Sequence, residues 1–66
     1  SNIDITYTPD KEAGSCGVIV RFYDTNGFEI SHSHTTLTGV QLQDVLDGDT
    51  DAADAFVLRR LGIEKL

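Results

Sequence analysis

Hydrophobic and polar positions change period partway along this chain. From Ile3 to Tyr7 ("IDITY") apolar and polar residues alternate with β-branched side chains, the pattern of a half-buried strand. Pro9 to Ser15 ("PDKEAGS") reads as a loop punctuated by proline and glycine. Gly17 to Tyr23 ("GVIVRFY") predicts a second strand, and Phe28 to Thr35 ("FEISHSHT") a third.

The joint between the second and third strands can be worked out by register. A two-residue Asn26-Gly27 turn sets Phe22 against Ser31 and mixes apolar with polar on both faces. A three-residue loop, Thr25-Asn26-Gly27, pairs Asp24 with Phe28 and places Gly27 where a positive φ is needed. Continued without interruption, that register pairs Phe22 with Ile30, Val20 with His32 and Val18 with His34. One face then carries Val18, Val20, Phe22, Phe28 and Ile30; the other carries Ile19, Arg21, Tyr23, Glu29, Ser31 and Ser33. A slip of one residue would exchange the faces, so the three-residue loop is expected.

Beyond Leu37 the period lengthens. Thr38 and Gln41 are spaced as a capping box, with Leu37 and Leu42 placed for the hydrophobic staple. Leu42, Val45 and Leu46 form a short stripe that Asp47-Gly48 ends. A second helix is expected from Thr50 or Asp51, with Asp51 and Asp54 in its first turn and Arg59 and Arg60 in its last, as the helix dipole favours. Ala53, Phe56, Val57 and Leu61 make its buried face. Gly62 fits a left-handed stop, with Ile63 packing back on Leu58. The order βββαα predicts an α+β fold: a three-stranded antiparallel sheet with two short helices on one face. The pattern leaves open which later strand Ile3–Tyr7 joins.

With 66 residues the chain is expected to form a single domain. A domain of this size buries roughly 60% of the surface its unfolded chain exposes, so its core is thin and a deep catalytic cleft has little room. Ser1 and Asn2 read as a remnant of tag cleavage, or as the start of a domain cut from something longer. The single cysteine, Cys16, has no partner for an internal disulfide, and no apolar run approaches the ~20 residues of a membrane span. A soluble, cytoplasmic protein is the expectation.

Charge changes the picture most. Eleven acids against five bases give a net charge of −6, and between Arg21 and Arg59 there are seven acids and no Lys or Arg. Neutralising phosphates needs a basic footprint, so direct nucleic-acid binding and an anionic membrane surface are both disfavoured. A cationic protein surface is the expected partner.

Four chemical constellations are present in part. In the uninterrupted register Cys16, His32 and His34 share a face, and these are zinc-preferred residue types, with Asp44 or Asp47 of the first helix as a candidate fourth ligand. The paired spacings of a zinc motif are missing, so no metal or other cofactor is expected and the three residues stand as a runner-up site. The same trio read as an activated thiol lacks an oxyanion site and a cleft. Asp47-Gly-Asp-Thr-Asp51 alternates acids as a calcium loop does, but Ala52 and Leu58 occupy the positions that need glycine and glutamate. The helix-turn-helix over residues 39–61 would read DNA with Asp51 and Asp54 leading, the wrong charge for phosphate.

What remains is the acidic segment of Asp44, Asp47, Asp49, Asp51 and Asp54 around the turn between the helices. In size and charge alone the chain resembles the small acidic inhibitors of bacteriophages and mobile elements, anti-CRISPR proteins among them. That resemblance implies a non-enzymatic module that docks a basic groove of a nucleic-acid-handling complex. Two other readings stand beside it: a small Cys/His metal-binding domain, and an accessory domain of a larger protein. A homodimer through an unpaired sheet edge is a further expectation.

Overall fold

The computed structural model describes residues 2–62. Three strands, β1 (Ile3–Asp10), β2 (Ser15–Tyr23) and β3 (Glu29–Leu37), precede two helices, α1 (Gly39–Leu46) and α2 (Thr50–Arg60). The sheet is antiparallel throughout in the order β1-β2-β3, which settles the pairing of the first strand. The α+β arrangement expected from the sequence is therefore the one observed.

Strand β1 runs further than its alternating pattern, through Pro9 and Asp10, and Asn2 also joins the ladder: its carbonyl accepts from Tyr23 N–H at 2.8 Å. Bonded and non-bonded pairs alternate in an antiparallel ladder. With Tyr23 bonded to Asn2, the register makes Arg21, Ile19 and Gly17 turn their backbone groups toward β1. Phe22, Val20, Val18 and Cys16 must then turn theirs toward β3, where they meet Ser31, Ser33, Thr35 and Leu37. Pro9, opposite Cys16, falls where its missing N–H would have pointed off the edge, so proline costs the ladder nothing.

The β2–β3 joint forms as expected at its tip. Asp24 N–H donates to Phe28 C=O at 2.9 Å, and Gly27, at φ +87°, donates to Asp24 C=O. The Asp24 carboxylate closes the loop further by accepting from Asn26 and Phe28 N–H. Two pairs later the expectation fails. Tyr23 faces Glu29 but Phe22 faces Ser31, so Ile30 is an extra residue, a β-bulge. Every later residue of β3 consequently turns to the other face. His32 lies opposite Arg21 and His34 opposite Ile19, while Thr35 and Leu37 join Val18 and Cys16.

The core lies between one face of the sheet and the helices: Cys16, Val18, Val20, Leu37, Leu42, Ala53 and Val57. Leu37 and Leu42 both enter it, but the capping box does not form, because Thr38 makes no side-chain cap bond. Gly39 follows it at φ +59°, in the left-handed region that glycine adopts without strain. Helix α2 buries Ala53 and Val57 and half-buries Phe56 and Leu61, as its pattern predicts. Leu61 ends the helix and Gly62 bonds back to Arg59 C=O. The expected contact of Ile63 with Leu58 lies outside the described residues.

Side chains of helix α2 reach both edge strands of the sheet. Tyr7, Val18 and Thr35 form one row across the three strands. The Tyr7 hydroxyl donates to Asp54 Oδ1 at one end of the row, and Arg60 Nη1 donates to Thr35 Oγ1 at 3.2 Å at the other. The rise from Asp54 to Arg60 is about 9 Å at about 1.5 Å per residue. Two interstrand spacings are about 9.6 Å, so the two anchors fit the span without strain. The hairpin tip reaches past this cover, leaving Phe28 and Ile30 70% and 66% exposed although their pattern predicts the inner face.

Candidate partner-binding surface

The acidic segment forms an elbow between the helices. Helix α1 ends in a Schellman arrangement: Gly48 N–H donates to Val45 C=O and Asp49 N–H to Asp44 C=O, at 3.1 and 2.8 Å. Asp49 then serves the next helix as well, its carboxylate accepting from Ala52 N–H at 3.3 Å as the N-cap of α2. One residue thus closes α1 and opens α2, which fixes the turn that carries the neighbouring acids.

The five acids differ in what holds them. Asp54 is half-buried and accepts from Tyr7. Burial first, then the hydrogen bond to Asp54 and its negative charge, push the Tyr7 phenol well above its ordinary value. Asp47 is exposed and accepts from Gln43 Nε2 at 2.9 Å, one helical turn back. Asp44 is half-buried; Asp49 and Asp51 are exposed. Among the described residues, none of the five takes part in an ion pair. All three ion pairs found there lie on the outer sheet face, at Arg21–Asp4, Arg21–Glu29 and His32–Glu29. The only bases of α2, Arg59 and Arg60, sit in its last turn, and Arg60 is held against β3 with its guanidinium 4.7 Å from the Phe56 ring centre.

The runner-up metal site is corrected by the bulge. Cys16 is fully buried on the helix-covered face, whereas His32 and His34 lie on the opposite, exposed face. The sheet stands between the thiol and both imidazoles, so the Cys16, His32, His34 site does not assemble. Among the described residues no group of three or more His, Cys, Asp or Glu side chains converges within the chain, and Asp44 and Asp47 supply no fourth ligand. The same separation removes the histidine-activated thiol.

The outer face carries a network the sequence reading did not single out. Arg21 Nε lies 3.5 Å from Glu29 Oε1, and Arg21 Nη1 donates to Thr6 Oγ1 at 3.3 Å. His32 Nδ1 lies 3.3 Å from the other oxygen of Glu29. No alternation in the sequence pairs Glu29 with His32, three residues apart; the bulge brings the two to the same face. Beside the network, an open groove of about 330 Å³ runs past Gly17, lined by Thr8, Ile19, His34 and Thr36. Among the described residues no hydrogen bond joins His34 to Thr8 or Thr36 there.

No protein-family model, curated protein or solved structure matches the chain. Among the described residues no helix is long and apolar enough to cross a membrane.

Proposed function

We propose that this chain is a non-enzymatic, acidic protein-binding module acting in the cytoplasm. It engages a basic protein surface through the α1–α2 elbow. The form that best fits the charge is an inhibitor occupying a groove that would otherwise hold nucleic acid, with no direct contact to nucleic acid or membrane. As part of a longer protein, the same surface would serve as an accessory docking domain.

The observation that supports this reading is the uncompensated charge of the elbow. Its five carboxylates lack ion pairs among the described residues, while the acids of the outer face are paired with Arg21 or His32. Unpaired charges on a fixed turn attract a cationic surface over about one Debye length, ~8 Å at physiological salt, and this attraction weakens as salt rises. Within the elbow, Asp47 and Asp51 are exposed, and although the Asp47 backbone closes α1, neither side chain caps a helix or contacts the sheet. They are the residues assigned to the partner, with Asp44 beside them, whereas Asp49 and Asp54 also serve the fold.

The test is affinity capture at low and high salt, with the partner identified by mass spectrometry and challenged with duplex DNA. A nucleic-acid-handling partner that is released by salt and displaced by DNA supports the proposal. Reversal of Asp47 and Asp51 to lysine should abolish capture while leaving the far-ultraviolet circular dichroism unchanged. Capture that survives high salt, or that the reversed variant retains in full, would refute it.

A further inference from the structure

The β3 edge sets two imidazoles side by side. His32 and His34 lie on the exposed face of an edge strand, their ring centres 5.4 Å apart and their planes at 78°. Zinc binds an imidazole nitrogen at about 2.1 Å, and the ring centre lies roughly 1.1 Å beyond it. Two imidazoles at a tetrahedral angle on one ion therefore have ring centres about 5.2 Å apart. The observed spacing of the ring centres is close to this value.

His32 is further prepared by its neighbours. An ionised carboxylate only accepts, so the His32 tautomer protonated at Nδ1 is the one that can donate to Glu29 Oε2, 3.3 Å away. That tautomer leaves Nε2 free as a ligand, and Glu29 is itself held by Arg21. A carboxylate orienting a histidine in this way is the usual outer shell of a zinc ligand. Two ligands are nevertheless too few.

The backbone shows where the missing ligands can come from. With Ser31, Ser33, Thr35 and Leu37 bonded to β2, the N–H and C=O groups of His32 and His34 point off the free edge. Arg60 Nη1 takes the corresponding carbonyl of Thr36, which closes the upper end of that edge and leaves the histidine segment open.

Charge selects the occupant. From Ile30 to Leu37 the strand carries no Asp, Glu, Lys or Arg, whereas the β1 edge carries Asp4, Pro9 and Asp10. Helix α2 sets its acidic Asp54 over β1 and its basic Arg60 over β3. For two chains of net charge −6, the β3 flank is where approach meets least repulsion. Antiparallel pairing also brings the Glu29 end of one strand to the Arg60 end of the other.

We propose that two copies of this chain pair through their β3 edges about a two-fold axis at Ser33, and that His32 and His34 of both copies together bind one zinc ion. In this register His32 faces His34 of the second copy across a hydrogen-bonded pair, with Cα atoms about 5.5 Å apart. Directly opposed residues share a face, so all four imidazoles lie on the outer side of one continuous sheet. Each copy supplies two ligands, and the site is incomplete without the second chain.

Sedimentation velocity with and without micromolar zinc tests the proposal on the intact chain. Zinc should double the sedimenting mass, with one ion bound per two chains, and a chelator should reverse it. His32→Asn and His34→Asn, both at exposed positions, should each abolish the shift, while Cys16→Ser should retain it. A Ser33→Cys variant should cross-link to itself on oxidation only when zinc is present, which reports the register independently. Zinc bound one per chain to a monomer, a dimer indifferent to zinc or to both histidine variants, or no zinc binding would each overturn the proposal.

Discussion

Removing the Tyr7 hydroxyl tests how the sheet holds its second helix. The phenol donates to the Asp54 carboxylate, and both side chains are half-buried where α2 crosses β1. A hydrogen bond to a charged group contributes about 1.5–3 kcal/mol when well shielded. Partial exposure lets water replace the lost donor, so Tyr7→Phe should cost about 1–2 kcal/mol. A domain of this length has roughly 3–10 kcal/mol of total stability, so the loss is a sizeable share. It should lower the Tm by about 4–16 °C at about 4–8 °C per kcal/mol.

The assay is urea unfolding of Tyr7→Phe, Asp54→Ala and the double variant, read as a cycle. A coupling of about 1 kcal/mol or more is expected. The same contact has a pH signature. Because the folded state raises the Tyr7 pKa, its contribution is fully present below the unfolded value near 10 and is lost as pH climbs above it. Stability of the native sequence should therefore fall on the alkaline side, and Tyr7→Phe should flatten that limb. A coupling below ~0.3 kcal/mol, or an alkaline limb identical in both proteins, would sink the reasoning.

Further outcomes are expected elsewhere in the fold. Asp49→Ala removes the α2 cap and should destabilise by about 1 kcal/mol in thermal unfolding, more than Asp51→Ala, which caps nothing. Val57→Ala empties space in a fully buried position and should cost about 2 kcal/mol, measured by denaturant midpoint at constant slope. Gly27→Ala forces a side chain into φ +87° and should lose about 1 kcal/mol by the same measure. Deletion of Ile30 should leave the pairs Tyr23–Glu29 and Phe22–Ser31 in place, since the bulge residue stands outside the ladder; amide chemical shifts that move throughout β3 would contradict this.

Much of the architecture was legible because local chemistry and global pattern agreed. Gly27 dictated the loop, alternation dictated the strands, and Ala53, Phe56, Val57 and Leu61 dictated the inner face of α2. The bulge is not legible from the hairpin tip, because the loop sets the register only locally and the far end of β3 decides which face continues. Leu37 held the answer. An unbroken register sends Ile30 inward and Leu37 outward, and one extra residue lets Leu37 enter the core while Ile30 stays at the tip. Burying a leucine is worth roughly 1.5–3 kcal/mol, enough to outweigh a disturbed pair near the loop. The consequence for function was large, since the same slip parted Cys16 from both histidines. The acidic elbow was legible as composition, but only its hydrogen bonds separate Asp49 and Asp54, which serve the fold, from Asp47 and Asp51.

The reach of α2 from β1 to β3 also bears on how the chain acquires its structure. The three strands are joined in sequence order by short loops, so the sheet can assemble from near neighbours as the polypeptide is made. Leu42 of α1 reaches its inner face first, but the cover is complete only when Ala53 and Val57 arrive. A ribosome adding about 5–20 residues per second would expose Val18, Val20 and Leu37 for a second or more before the last helix docks. During that interval the nascent sheet is a substrate for chaperones, and substitutions in α2 should reveal themselves first as lower soluble yield.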